Sequence, residues 1–331
     1  EELKTTLNKI ITSTTHAYLD LSLQWKTLQV KEWLLQQGEE VVRILDIRRE
    51  YDAAEADYAQ AVATVQQRRA DMISQQSLVQ KASDTLKTYI NTNEYPLESE
   101  TTIQPDSDVH ATPISISLRQ AIMTALEHRP DLRKLKLSID SELINVEVAD
   151  NARLPKLDMQ AQLSFRGLGE SASDGYQEVF DTDFINYLAG LTFEIPLGNR
   201  AAEANYTSAR LQKMSAESTY KQGVQNTIVE VKTALRDIVT NAELIQANRA
   251  FRIAQTENLR ALSVEEETMA GLSPTFLNLK LQTQAGLSNA RIAEFGAIVN
   301  YNKSIASLYE AMGTTLQMHQ IDFETKLPPV Q

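Results

Sequence analysis

Apolar positions recur in two rhythms along this chain, and the second of them is confined to one short stretch. Leu3, Leu7, Ile10, Ala17, Leu21 and Leu28 form one stripe, and Tyr51, Ala54, Tyr58, Ala61, Val65 and Met72 step by threes and fours. Such steps have the coiled-coil period. They predict helix from Leu3 to Ile90. Asn91, Asn93, Pro96, Pro105 and Pro113 then break the pattern, so 91–116 reads as a linker. A short helix is predicted over Leu118–Glu127. A second starts at Pro130, where proline suits a first helical turn, and runs to about Leu154 until Pro155 stops it.

The period then becomes two. Leu157, Met159, Ala161, Leu163 and Phe165 alternate with Asp158, Gln160, Gln162, Ser164 and Arg166. After a Gly-, Ser- and Asp-rich loop at 167–183, Ile185, Tyr187, Ala189, Leu191, Phe193 and Ile195 alternate with Asn186, Gly190, Thr192 and Glu194, and Leu188 interrupts the polar face. Strict alternation predicts strands with one apolar and one polar face. Each runs for about 10–12 residues, close to what a tilted membrane-spanning strand needs. A hairpin lying over a soluble core shows the same alternation, and the pattern does not separate the two.

Beyond Pro196 and Gly198 the helical rhythm returns. Val224, Ile228, Val231, Leu235, Ile238, Ala242 and Ile245 form an unbroken series. Arg249 and Arg252 come next, so the stripe is expected to shift to Ala247, Phe251 and Ala254, a stutter that locally changes supercoiling. A helix over 200–269 makes a rod of roughly 105 Å. Gly271–Pro274 reverses the chain. Leu281, Ala285, Ser288, Ile292, Phe295, Val299, Ala306 and Tyr309 carry the return helix, where small residues allow close approach. Proline is absent from 1–95, 197–273 and 275–327, which permits helices this long. Glu39–Arg43 and Glu217–Lys221 are spaced as surface ion pairs worth about 0.2–0.5 kcal/mol each.

The fold class is therefore mainly α with a small β part, in 331 residues of which 42% are apolar. A net charge of −12 argues against nucleic acid, which needs a basic footprint. The absence of cysteine removes disulfides, thiolate metal sites and a cysteine nucleophile. The four histidines, His16, His110, His128 and His319, are scattered without metal-ligand spacing. There is no P-loop, GxGxxG or GxSxG. We thus expect no catalytic residue, cofactor or metal site. Glu265-Glu266-Glu267 reads as a solvated charge run, and Trp25 and Trp33 read as packing residues.

Five local sequences give a resemblance. Ser117-Leu118-Arg119-Gln120-Ala121-Ile122 with His128-Arg129-Pro130-Asp131-Leu132 is similar to the repeat opening of the outer-membrane efflux protein family, the TolC-like channels. Ala152-Arg153-Leu154-Pro155-Lys156-Leu157 resembles its helix-to-strand entry, and Phe193-Glu194-Ile195-Pro196-Leu197-Gly198-Asn199-Arg200 its strand exit. Met269-Ala270-Gly271-Leu272-Ser273-Pro274 resembles its second hairpin tip, and Leu308-Tyr309-Glu310-Ala311-Met312-Gly313 its repeat end. The five stand in family order over 117–313, and residues 1–90 fit more loosely as the back half of a first repeat.

The resemblance implies an outer-membrane exit duct for a tripartite efflux pump or type I secretion system. It implies a homotrimer sharing one β-barrel and one α-helical barrel, placed in the outer membrane of a Gram-negative-type cell with a periplasmic helical part. Partners would be outer-membrane lipid, a periplasmic adaptor and an inner-membrane transporter, with docking of the adaptor opening the helical barrel. Segments follow: 1–90 a helical hairpin, 91–116 an equatorial linker, 117–154 opening helices, 155–197 the strand pair, 198–313 the second hairpin and 314–331 an equatorial tail. Four strands per protomer are implied, so one strand pair is expected upstream of Glu1. Leu157, Met159, Ala161, Leu163, Phe165, Tyr187, Leu191 and Phe193 would face lipid. Asp158, Gln160, Gln162, Thr192 and Glu194 would face the lumen. Ala53, Ala54, Glu55 and Asp57 on the first tip, with Ala270, Gly271, Leu272, Ser273 and Pro274 on the second, would contact the adaptor and form the gate. The chain departs from the family in carrying Ala54 where glycine is usual, and Leu277, Asn278, Leu279 and Lys280 where aspartates are common. An acidic gate at the second tip is therefore not expected. A periplasmic adaptor built on one long hairpin, or a coiled-coil scaffold, are the alternatives. Neither accounts for the amphipathic strands as well.

Overall fold

A computed structural model describes residues 1–50, 54–165, 185–195, 197–268 and 273–321. The first hairpin is α1 (Glu2–Arg48) and α2 (Glu55–Ile90). Short helix α3 (Leu118–His128) and α4 (Pro130–Asn151) precede strands β1 (Lys156–Phe165) and β2 (Ile185–Glu194). Then come α5 (Arg200–Thr268, 69 residues), α6 (Pro274–Met312, 39 residues) and a terminal turn of helix, α7 (Thr315–Met318). No helix among the described residues is long and apolar enough to cross a membrane.

Helix ends follow local chemistry. The Ser117 side chain accepts from the Gln120 N–H and starts α3, and Ser273 accepts from the Phe276 N–H and starts α6. Asn91 closes α2 in the left-handed region, which asparagine tolerates. Gly313 closes α6 at φ +71, its N–H donating to Glu310 and that of Thr314 to Tyr309. α4 stops three residues short of the expected Leu154. Ala152–Leu154 already turn, because the residue before a proline is disfavoured in helix.

The chain divides into two compact units, one made of 1–133 with 224–331 and the other of 134–223. In the first, α1 packs against both α2 and α6. One core joins Ala17, Leu21 and Leu28 of α1 to Val79 and Leu86 of α2. A second joins Ala121 and Ala125 of α3 to Val231, Ala234 and Ile238 of α5 and to Ala297, Tyr301 and Leu308 of α6. The linker is strapped on by side chains: Trp25 Nε1 donates to the Ile103 carbonyl at 2.9 Å, and the Tyr301 hydroxyl donates to the Thr112 backbone carbonyl at 3.0 Å.

Three expectations change. The stripe of α5 does not shift at Arg249. Ala247, Phe251 and Ala254 are exposed, while the covered positions run on through Ile245, Asn248, Arg252, Leu259 and Leu262. Arg252 holds its place on the seam by placing its head on Glu294 of α6, so a charged residue continues an apolar stripe. α6 carries two seams rather than one, since it has neighbours on two sides: Leu277, Gln284, Ala297 and Leu308 are buried as well as Leu281, Ser288 and Val299. The surface pairs regroup too. Arg43 bonds Glu40, Glu39 takes Arg69 across the hairpin at 2.8 Å, and Glu217 takes Lys213.

Candidate functional site

The strand pair lies in the second unit. β1 and β2 run antiparallel with Leu157 opposite Phe193, Met159 opposite Leu191, Ala161 opposite Ala189, Leu163 opposite Tyr187 and Phe165 opposite Ile185. Directly opposed residues share a face. One face is thus entirely apolar, with Met159, Leu191 and Tyr187 each more than 70% exposed. The other pairs Lys156 with Glu194, Asp158 with Thr192, Gln160 with Gly190, Gln162 with Leu188 and Ser164 with Asn186. Asp158, Gln160, Gln162, Thr192 and Glu194 therefore stand together on one face, and Lys156, Ser164 and Asn186 join them. The loop 167–183 lies outside the described residues.

The entry and exit motifs meet at the base of this pair. The Asn199 amide donates to the Arg153 carbonyl at 3.0 Å, and Gly198 and Asn199 both take positive φ to make the corner. Arg153 bonds Asp150 at 2.7 Å and Glu203 at 2.8 Å, and its guanidinium lies 4.6 Å over the Tyr206 ring. The Asp150 hydrogen bond raises the Arg153 pKa. One side chain so holds the end of α4 to the start of α5.

The repeat-opening and repeat-end motifs meet in the first unit. Arg129 forms a two-pronged pair with Asp131, at 2.9 and 2.6 Å, and also bonds Glu230 of α5 and, at 3.3 Å, the Ala311 carbonyl. Burial opposes its charge, but the bonds to Asp131 and Glu230 outweigh that and raise its pKa. Gly313 lies against this corner: a Cβ there would come 2.9 Å from the Arg129 Cα.

The two hairpin ends also come together. Val41 and Leu45 of α1, Ala61 of α2, Leu262 of α5 and Phe276, Leu277 and Leu281 of α6 form one apolar cluster, with Tyr58 packed on it. Ala54 is the extended residue before α2, and Glu55 and Asp57 sit in its first turn. Arg49 reaches across the first tip to Glu55 at 3.4 Å and lies 4.9 Å over the Tyr58 ring. Across the second tip Lys280 pairs with Glu266, so the glutamate run is not simply solvated: Glu266 is largely covered. Ala53, Ala270, Gly271 and Leu272 fall outside the described residues. Ser273 caps α6 and Pro274 is its first residue.

Sequence reasoning missed Arg68. It is buried, donating to the Leu34 and Leu281 carbonyls at 2.8 Å and to the Gln284 side chain at 3.1 Å. It thereby ties α1, α2 and α6 together below the tips. Burial without a carboxylate pushes its pKa down to about 10. The one sequence signal was Gly38, which leaves room for it: a Cβ there would lie 2.7 Å from Arg68 Nη1. No group of three His, Asp or Glu side chains that could hold a metal occurs among the described residues.

Paired long helical hairpins meeting at their tips, with an amphipathic strand pair bare on its apolar face, define the class of TolC-like channel proteins. The chain belongs to the outer membrane efflux protein family, whose sequence pattern matches residues 121–314. A membrane protein from Pseudomonas aeruginosa is similar over 93% of this chain and 68% of its own, at 20% identity and a TM-score of 0.79. The Campylobacter jejuni CmeC outer membrane channel is similar over 95% and 64%, at 18% identity and a TM-score of 0.79. The open state of the Neisseria gonorrhoeae MtrE outer membrane channel is similar over 95% and 68%, at 18% identity and a TM-score of 0.75. The chain thus spans about two thirds of the length of these proteins. No curated protein matches it by sequence.

Proposed function

We propose that this chain is part of an outer-membrane exit duct in which three copies share one β-barrel and one helical barrel. The strand register carries the reading. Five opposed apolar pairs stand on one face of β1–β2, bare of cover among the described residues, and a lipid surface is the partner that stabilises such a face. Leu157, Met159, Ala161, Leu163, Phe165, Tyr187, Leu191 and Phe193 then contact lipid, and Asp158, Gln160, Gln162, Thr192 and Glu194 line the water-filled path. Segments 1–90 and 198–313 supply the helical barrel. Segments 91–116 and 314–331 form its girdle, 117–154 connects to the barrel strands of 155–197, and a further strand pair per protomer completes the β-barrel.

The joined tips are the periplasmic end. Ala53, Ala54, Glu55, Asp57, Ala270, Gly271, Leu272, Ser273 and Pro274 meet a periplasmic adaptor there. An inner-membrane transporter drives the cargo, since these 331 residues carry no P-loop with which to bind nucleotide. Opening separates the tips at the expense of the cluster around Leu277 and of the Arg68 ties.

These 331 residues contain no cysteine, so each introduced thiol is the only one among them, and the unsubstituted protein serves as the labelling reference. Single cysteines at Asp158, Gln160, Met159 and Leu191 are treated with a charged, membrane-impermeant thiol reagent in outer membranes. Modification at Asp158 and Gln160, with protection at Met159 and Leu191, is expected. Equal modification at all four would reject the membrane-facing assignment.

A further inference from the structure

A second feature lies along the helices of the first unit, away from the hairpin tips. A groove of about 480 Å³ opens between α1, α5 and α6, and Lys26, Trp33, Arg252, Arg291, Phe295 and Ile298 line it. The Arg291 guanidinium lies 4.4 Å over the Trp33 ring, and the Lys26 ammonium 6.0 Å from the centre of the Phe295 ring. Glu294 is buried at the edge, but Arg249 and Arg252 already occupy its two oxygens.

The charge there does not balance. Lys26, Arg249, Arg252 and Arg291 surround one carboxylate, in a chain whose net charge is −12. Among the described residues, no carboxylate lies within ion-pair distance of Arg291 or Lys26. Partial burial, with the neighbouring charge of Arg252, lowers the Arg291 pKa, which is the behaviour of a cation lacking its anion. The groove floor is aromatic and aliphatic, and its volume falls in the range of small-molecule sites.

We propose that this groove binds a small apolar carboxylate, with the carboxylate on Arg291 and Lys26 and the hydrocarbon body on Trp33, Phe295 and Ile298. A planar guanidinium takes a carboxylate by two parallel hydrogen bonds while its face stays on the indole. Such a ligand fills the missing charge and covers the apolar floor at once. The proposal stands independently of the channel reading, since it uses only groups within the first unit.

The test is fluorine NMR on the purified full-length protein, with para-trifluoromethylbenzoate as probe and the corresponding benzyl alcohol as control. Saturable broadening of the carboxylate signal is expected, with the alcohol about tenfold weaker or more. Arg291→Gln is expected to weaken binding by about tenfold or more. Lys26→Gln, at an exposed position, is expected to weaken it about threefold. Absence of saturable binding, equal binding of the alcohol, or binding unchanged in both variants would overturn the proposal. A neighbouring protomer that covers the groove would give the first of these results.

Discussion

Gly38 is small because Arg68 occupies the space beside it. The Arg68 head is pinned by two carbonyls and an amide, so it has nowhere to go when a methyl group is added 2.7 Å away. Gly38→Ala is expected to destabilise the tip end by about 1–3 kcal/mol, read as a lowered melting temperature. An unchanged melting temperature would show that the Arg68 ties are loose. Asp131 gives a pH signature. Burial works against its ionisation, but the Arg129 hydrogen bonds and charge outweigh that and hold its carboxyl below the ordinary value. A depressed carboxylate contributes stability that is present above its unfolded-state pKa and is lost as pH falls through the lower folded value. Wild type should therefore melt above Asp131→Asn at neutral pH, and the gap should close as pH falls below the ordinary aspartate range. A gap independent of pH would contradict the pairing. At this scale the sequence was legible where residues act locally: the Arg129-Pro130-Asp131 run contains both halves of its own ion pair. It was silent about Arg68 and Arg252, because an arginine on a seam looks like a break in it until the facing carbonyl or glutamate is seen.

Among the elements, the corner after α6 depends on a residue that no side chain can replace. Gly313 has φ +71 and touches the Arg129 backbone, so Gly313→Ala meets both a strained conformation and a clash. A loss of about 1–3 kcal/mol is expected, measured by denaturant melting. Retained stability would mean that the α3–α4 corner moves freely. The α5–α6 seam makes a second prediction. Glu294→Gln leaves Arg249 and Arg252 without their shared carboxylate and should cost more than Arg252→Met, which fills the same seam with an apolar chain. The reverse order would restore the stutter. Element types were readable from period alone, since threes and fours against strict alternation leave little choice. The two seams of α6 were not, because a helix with neighbours on both sides buries polar residues such as Gln284 that a single-stripe reading discounts.

For the whole molecule, the strand face and the joined tips point to one assembly. A lone β-hairpin with a bare apolar face is marginal in water, and the polar face beside it needs a wet side. Closing strand pairs from several copies around a common axis satisfies both. That closure was suggested by five motifs in order, and the register supports it by placing every opposed apolar pair on one side. The motifs proved to be contacts: entry meets exit at Arg153 and Asn199, and opening meets end at Arg129 and Gly313. What the sequence left unread was the mid-helix groove, whose residues are spread over α1, α5 and α6 and share no local pattern. The central claim is tested most directly by the detergent-corrected mass of the full-length protein extracted from outer membranes. The account predicts the mass of three protomers. A monomer that leaves the membrane without detergent would contradict it.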